Sequence, residues 1–285
     1  MDPLPRRDMV FDGEFLKRLE ALRVAVRRVL HGRREGERPG SRRGGSSVFH
    51  SYRSYAQGDD FRSIDWSLYA RLETLFVRER TRDEAPTLHL VLDATPSMSF
   101  GAPPKLELAR RLGAALGYLV AGEGGEVTLW TGAQSRTFRG DGSVPEFLDA
   151  LATTAGGGRP AESLARISGR GLVVAASDFW DEDLPKALGA TAADHQVTLL
   201  HVLAREEFDP PLRGRVRIVD SETGDSATRF IAEEEIARYR TLLEEHILGW
   251  RSWAIKHEAS YLRVASDEPF EKVCLLYLRG EGVLE

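Results

Sequence analysis

From residue 86 onward, short apolar runs alternate with segments of helical periodicity, and this alternation restricts the fold more than any other feature of the sequence. Runs such as Gly171–Ser177 and Gln196–Leu203 have the length and composition of buried strands. Lys105–Val120 instead places its apolar residues on one helical face. Strands that alternate with helices favour a mostly parallel sheet covered on both faces. We therefore predict an α/β fold with a doubly wound, mostly parallel sheet.

The same patterns predict the individual elements. The strands expected in this sheet are Thr87–Asp93, Val127–Thr131, Ser135–Phe138, Gly171–Ser177, Gln196–Leu203 and Tyr261–Ala265. The expected helices are Asp12–Leu30, Lys105–Val120, Val144–Thr153, Ala161–Ile167, Glu182–Ala193, residues 232–258 and Pro269–Leu278. One stretch, Arg215–Phe230, departs from the alternation and is predicted to be an inserted β-hairpin around the turn at Thr223-Gly224-Asp225.

The N-terminal region has a different character. Asp12 is the predicted N-cap of the first helix, Gly32 its predicted C′ residue, and residues 31–47 are expected to form an extended loop. We divide the chain into an N-terminal extension, residues 1–82, and an α/β domain, residues 83–285. The first helix has an apolar stripe that needs covering, so we expect the extension and the domain to fold as one unit.

Composition excludes several classes of protein. An apolar content of 42% is sufficient for a core, and the single cysteine, Cys274, excludes an internal disulfide framework. No apolar stretch follows the basic residues at the start, and no apolar run is long enough to cross a bilayer of about 30 Å. These features predict a cytoplasmic protein without membrane insertion. The basic stretch Arg23–Arg43 lacks interleaved aromatic residues, so we expect a solvated face or linker and no specific nucleic-acid binding.

Two predicted strands end on carboxylates. Asp93 is followed by the hydroxyls of Thr95 and Ser97, and Asp178 comes directly after the strand at Gly171–Ser177. Ligands of open α/β sheets bind at the carboxyl ends of strands, and oxygen donors suit Mg²⁺. The four residues therefore form a candidate metal site with Mg²⁺ as the candidate cofactor. The alternative is that both aspartates cap the helices that follow.

The stretch Asp93-Ala94-Thr95-Pro96-Ser97-Met98 resembles the Asp-x-Ser-x-Ser start of the metal-ion-dependent adhesion site of von Willebrand factor A domains. Asp178 is similar to the late aspartate of that site. The family's middle ligand is a threonine after paired glycines, and here Gly156-Gly157-Gly158-Arg159 has none. Thr153 or Thr154 could substitute for it, or Arg159 could fill the site with its own charge.

Residues 44–71 resemble the signature of the bacterial domain-of-unknown-function 58 family, including Gly58-Asp59-Asp60 and Ile64-Asp65-Trp66. The resemblance implies a von Willebrand A-like domain behind this segment, with a doubly wound sheet of strand order 3-2-1-4-5-6. It also implies association with MoxR-type AAA+ ATPases. Opposite charges in the segment can pair bidentately. We expect a structural network or a docking surface formed by Arg53, Asp59, Asp60, Arg62, Asp65, Trp66 and Arg71.

Together these features predict a non-enzymatic protein-interaction module that acts as an adaptor between a MoxR-type ATPase and an unknown client protein. We expect docking on the carboxyl-end face, defined as the loops 94–103, 155–160 and 178–183. The alternative is a Mg²⁺-dependent phosphohydrolase of the haloacid dehalogenase type. Those enzymes place a second aspartate two residues after the nucleophile as general acid, and Thr95 cannot take that role.

Overall fold

The computed structural model of the chain describes residues 11–36, 51–54, 76–79 and 85–280. Of these, residues 11–36 and 86–280 belong to one compact unit, and residues 51–54 and 76–79 belong to a second. In the second unit, strand β1 (Ser51–Ser54) pairs antiparallel with strand β2 (Phe76–Glu79).

The larger unit alternates strands and helices. Its strands are β3 (Thr87–Leu92), β4 (Glu126–Thr131), β5 (Gln134–Arg139), β6 (Leu172–Ser177), β7 (Gln196–Leu203), β8 (Gly214–Val219), β9 (Ser226–Ile231) and β10 (Ser260–Ala265). Its α-helices are α1 (Gly13–Gly36), α2 (Lys105–Gly122), α3 (Val144–Thr153), α4 (Pro160–Leu164), α5 (Leu184–Thr191), α6 (Arg205–Phe208), α7 (Glu233–Lys256) and α8 (Phe270–Gly280). None of the helices in the described part of the chain has both the length and the apolar composition to cross a membrane.

Six strands form the central sheet in the spatial order β10-β7-β6-β3-β4-β5. All neighbours are parallel except β4 and β5, which pair antiparallel at one edge. Counted in chain order within the sheet, this is 3-2-1-4-5-6, so the predicted doubly wound topology is confirmed. The predicted hairpin is also present, as β8 paired antiparallel with β9.

Alternation of side chains along the strands divides the core into two layers. On β3, Leu88, Leu90 and Leu92 are buried against the layer that contains α1, α2, α3 and α8. Val91 points to the opposite face and joins the layer that contains α4, α5 and α7. Because successive side chains of a strand point to opposite faces, a continuous apolar run fills both layers at once.

Helix α1 begins where the sequence predicts. The carboxylate of Asp12 accepts a 2.7 Å hydrogen bond from the backbone N–H of Phe15, which confirms Asp12 as the N-cap. The predicted end was wrong, because the helix passes through Gly32 and continues to Gly36. A glycine inside a helix costs only about 1 kcal/mol relative to alanine, and the arginines around it are good helix formers.

The apolar stripe of α1 is covered by the α/β unit. The side chains of Phe11, Phe15, Leu19 and Leu22 are all buried in the core layer that α2 and α8 share. Phe15 packs against Phe270 of α8 with ring centroids 4.8 Å apart. The helix is therefore part of the hydrophobic core.

We predict that Leu19→Ala lowers the free energy of unfolding by about 2–5 kcal/mol, since Leu19 is 1% exposed and its removal leaves a cavity. Urea denaturation followed by circular dichroism measures the change. The control is Val24→Ala on the same helix, where the side chain is 39% exposed and the expected change is within about 0.5 kcal/mol. Equal stability of the two variants would contradict a core role for α1.

Candidate functional site

The two carboxylates that the sequence predicts at strand ends follow neighbouring strands. Strands β3 and β6 pair in parallel with Leu92 beside Ala176, so Asp93 and Asp178 both lie at the carboxyl edge of the sheet. The backbone N–H of Asp93 donates a 3.0 Å hydrogen bond to the carbonyl of Ala176, which extends the pairing to the end of the strand.

The Asp93 carboxylate is buried and accepts three hydrogen bonds. Its Oδ1 accepts from the backbone N–H of Thr95 at 3.0 Å and from the Thr95 hydroxyl at 2.6 Å. Its Oδ2 accepts from the Ser177 hydroxyl at 2.5 Å. Burial raises the pKa of Asp93, the bonds from Ser177 and Thr95 oppose that rise, and the nearby charge of Asp178 adds to it. The bonds also tie the end of β3 to the end of β6.

The Asp178 carboxylate pairs with a buried lysine. Its Oδ2 lies 2.7 Å from Nζ of Lys105, the first residue of α2, and the same ammonium lies 2.8 Å from Oε1 of Glu207. The second oxygen of Glu207 accepts a 2.6 Å hydrogen bond from the backbone N–H of Ala204. Burial lowers the pKa of Lys105, but the charges of Asp178 and Glu207 outweigh this and leave the pKa above its ordinary value. Lys105 is therefore charged and offsets part of the negative charge of the two carboxylates.

The hydroxyls of Thr95 and Ser97 lie 3.2 Å apart in the loop after β3. The backbone N–H of Ser97 donates a 3.1 Å hydrogen bond to Oε1 of Glu222, in the turn between β8 and β9. Asp220 shapes that turn, since its Oδ1 accepts the backbone N–H groups of Glu222 and Thr223 at 2.8 and 3.1 Å. The inserted hairpin thus places a carboxylate of the chain itself against this loop.

In the loop 155–160, where the resemblance leads one to expect a threonine ligand, the structure has closely packed glycines. The hydroxyls of Thr153 and Thr154 both donate to backbone carbonyls one turn back in α3, at 2.8 Å. A Cβ on Gly132 would lie 2.5 Å from the Cα of Gly158, so two backbones approach there as only glycine allows. The backbone N–H of Gly157 donates to the carbonyl of Ala94 at 3.1 Å. The glycine run therefore seats this loop against the ends of β3 and β4.

Arg159 was the other candidate to replace the family's middle ligand, and its side chain is directed toward the loop after β6. Its guanidinium pairs with Asp181 and lies 2.8 Å from Asp183. It does not take the place of a cation beside Asp93.

The residues present do not fit a resident Mg²⁺ ion. That ion takes about six oxygen ligands at about 2.1 Å and keeps several waters, so the protein must offer at least one carboxylate that is free to bind it. Asp178 already pairs with an ammonium, Asp93 accepts three hydrogen bonds, and Thr153 and Thr154 bond within their own helix. Among the described residues, no group of three or more His, Cys, Asp or Glu side chains could hold a metal. The site of Asp93, Thr95, Ser97 and Asp178 stays a prediction, to be decided by titration.

Sequence reasoning missed the two residues that follow Asp178. Phe179 is buried and has a positive φ of 60°. Its backbone N–H donates a 2.9 Å hydrogen bond to the Ser177 hydroxyl, and its carbonyl accepts a 3.2 Å hydrogen bond from Nε1 of Trp250. Trp180 is 49% exposed and stacks on His246 of α7, with centroids 3.8 Å apart and planes 5° apart. The signal was the pair of large aromatic residues directly after a strand end.

Most of the predicted network in residues 53–71 lies outside the described residues. This applies to Asp59, Asp60, Arg62, Asp65, Trp66 and Arg71. Arg53 is in strand β1, where only the backbone is described.

Comparison with known proteins places the chain in a family. The family described as "Protein of unknown function DUF58" matches residues 51–246, more than half of the chain, and the chain belongs to that family. The membership predicted from the signature is therefore confirmed.

Uncharacterized proteins of Mycobacterium bovis and of two strains of Mycobacterium tuberculosis are each 28% identical to this chain over 239 residues. The match covers 78% of this chain and 75% of each relative. Two solved structures have a TM-score of 0.39 and cover 69% of this chain and 98% of their own. They are the conserved hypothetical protein BatB from Bacteroides thetaiotaomicron, at 17% identity, and an aerotolerance-related membrane protein from Bacteroides fragilis, at 14%.

The buried histidine beside the loop 178–183, His201, is expected to make the stability of the protein sensitive to acid. His201 contacts Phe179 and His246, and burial lowers its pKa to about 3, with the charges of His246, Lys105 and Arg263 adding to the effect. The unfolded chain takes up a proton below about pH 6.5 and the folded chain does not. This histidine therefore lowers the free energy of unfolding by about 1.4 kcal/mol per pH unit as pH falls from about 6.5 toward 3, and has no effect above that window.

Urea denaturation between pH 7.5 and 4.5 measures this slope. We expect a shallower slope in His201→Asn, which cannot titrate. Tyr261→Phe is the matched control, because it removes the 2.8 Å hydrogen bond to Nδ1 of His201 and leaves the imidazole in place. An unchanged slope in His201→Asn would show that another group causes the acid sensitivity.

Proposed function

We propose that this protein is a non-enzymatic protein-interaction module of von Willebrand A-like architecture, and that a partner docks on the carboxyl-end face of its sheet. The observation that carries the proposal is Trp180, a half-exposed tryptophan held at the end of the central strand β6. Trp180 lies in the loop 178–183 of that face.

The backbone before Trp180 supports a functional role for its position. A bulky residue with positive φ, such as Phe179, costs on the order of 1–3 kcal/mol and persists only where its surroundings hold it. Here the Ser177 hydroxyl, the Trp250 indole and burial in the core hold it. This conformation turns the next side chain out of the core and onto the ring of His246.

Exposed aromatic side chains on a rigid scaffold are the residues that most often dominate protein–protein binding. Phe100, in the loop after β3, is 50% exposed, and β3 is the sheet neighbour of β6. Two exposed aromatic residues therefore lie in the loops that follow adjacent central strands. Beneath them, hydrogen bonds and an ion pair fix the loop ends, so little ordering is needed on docking.

The resemblance to von Willebrand A-like proteins that act with MoxR-type AAA+ ATPases supplies the proposed partner. In this proposal the chain is a cytoplasmic adaptor that brings a client protein to the ATPase ring for maturation or complex assembly.

A Mg²⁺-dependent hydrolase of phosphate esters is the second candidate. Its nucleophile would be Asp93, but that carboxylate is 3% exposed and accepts three hydrogen bonds. Thr95 stands where such an enzyme needs its acid. These observations favour binding over hydrolysis, and a colorimetric phosphatase screen with Mg²⁺ tests the alternative.

We predict that Trp180→Ala weakens binding to the host's MoxR-type ATPase by about thirtyfold, since loss of a central tryptophan typically costs about 2 kcal/mol of binding free energy. Co-purification and calorimetric titration with the purified ATPase measure the change. Trp253→Ala is the matched control, because Trp253 makes the same kind of stack with His257, at 4.1 Å, farther along α7 and is partly buried.

Circular dichroism must first show that both variants are folded. Wild-type affinity in a folded Trp180→Ala variant would exclude docking through this tryptophan. Equal loss in both variants would indicate a general effect on α7 and would also contradict the proposal.

A further inference from the structure

The carboxyl edge of the sheet contains a cation that belongs to the chain. Lys105 begins α2, and its side chain is only 1% exposed. Lysine is almost never buried to this extent unless its charge is paired. Its backbone N–H donates to the carbonyl of Phe100 at 3.1 Å, so the loop after β3 folds back over the lysine.

The ammonium of Lys105 joins three chain segments that are distant in sequence. Asp178 follows β6, Glu207 lies in the short helix α6 after β7, and Lys105 follows the loop after β3. Glu207 is itself fixed by the backbone N–H of Ala204. The ends of three adjacent parallel strands therefore converge on one positive charge.

A divalent ion in a metal-dependent adhesion site draws the oxygens of several strand-end loops to one point. In this protein the Lys105 ammonium already holds the carboxylate oxygens of Asp178 and Glu207 together. Nζ of Lys105 lies 2.7 Å from Oδ2 of Asp178. A metal ion bound to the same carboxylate would therefore lie close to this ammonium, and like charges repel strongly in a buried site.

We infer that the Lys105 ammonium is the resident cation of the carboxyl-end face, and that this face is assembled and docks its partner without a divalent metal ion. The docking half of this inference rests on the proposed function. The half that concerns the resident cation does not, because it is tested on the isolated chain.

The first experiment is a titration of the full wild-type chain with Mg²⁺ and with Mn²⁺ by isothermal calorimetry, with thermal melts in millimolar Mg²⁺ and in EDTA. We expect no saturable heat and the same melting temperature, within about 1 °C, in both solutions. Saturable binding that is lost in Asp93→Asn, or a melting temperature that falls in EDTA, would overturn the inference.

The second experiment removes the built-in cation. Lys105→Ala leaves the carboxylates of Asp178 and Glu207 facing each other without a counter-charge, and we expect the melting temperature to fall by on the order of 10 °C. The two carboxylates would then form an oxygen site open to a divalent ion, so millimolar Mn²⁺ should restore part of this loss in the variant and have no such effect on the wild type. A merely structural role of the lysine would not produce this metal dependence.

The matched control is Lys272→Ala. Lys272 pairs with Glu268 at 2.8 Å but its side chain is 60% exposed, so we expect a change of about 1 °C at most and no response to Mn²⁺. If Lys105→Ala does not fold, the titration of the wild-type chain still decides the inference. Failure of docking through Trp180 would contradict the proposed function and the docking half that rests on it, and would leave the resident cation unaffected. Metal binding by the wild type would contradict this inference and leave docking through Trp180 unaffected.

Discussion

The ion pair that Lys105 forms with the carboxylates of Asp178 and Glu207 is the interaction on which the carboxyl edge of the sheet depends. Breaking such a pair by removal of one partner typically costs about 3–5 kcal/mol, because the remaining charge stays buried. The pair therefore fixes the spacing between α2, the end of β6 and α6. Asp178 is held by it, and the strained Phe179 and the outward Trp180 follow directly in the chain. The buried charge of Lys105 thus helps to determine the position of the exposed loop that contains Trp180.

The sheet could be predicted from the sequence because its strands are nearly continuous apolar runs. Gln196–Leu203 has the predicted bounds, and the mostly parallel pairing of the strands is what alternation with helices favours. The order of the six strands was expected from the resemblance to von Willebrand A-like domains. The end of α1 could not be predicted from composition, since Gly32 is tolerated inside a helix whose neighbouring residues favour it. Helix α6, only four residues long, has no periodicity that a sequence can show.

The candidate site was predictable in position and not in its contacts. Asp93 and Asp178 lie at one edge because the carboxyl ends of adjacent parallel strands meet there. Which group pairs with each carboxylate depends on side chains that reach across the fold. Lys105 is separated from Asp178 by 73 residues and from Glu207 by 102, and at the start of a predicted helix it has the pattern of a solvent-exposed residue. Its neighbours in the sequence give no sign that its charge is buried.

The contact between α1 and α8 has a consequence for synthesis of the chain on the ribosome. Phe15 packs on Phe270, and Arg18 pairs with Glu271, 253 residues farther along. At about 5–20 residues per second, this stretch takes on the order of tens of seconds to be translated. During that time the aromatic end of the α1 stripe has no native cover from α8, although α2 emerges much earlier. The nascent chain therefore leaves the aromatic end of α1 without this contact until α8 has emerged, and that interval is when molecular chaperones or premature aggregation would act on it.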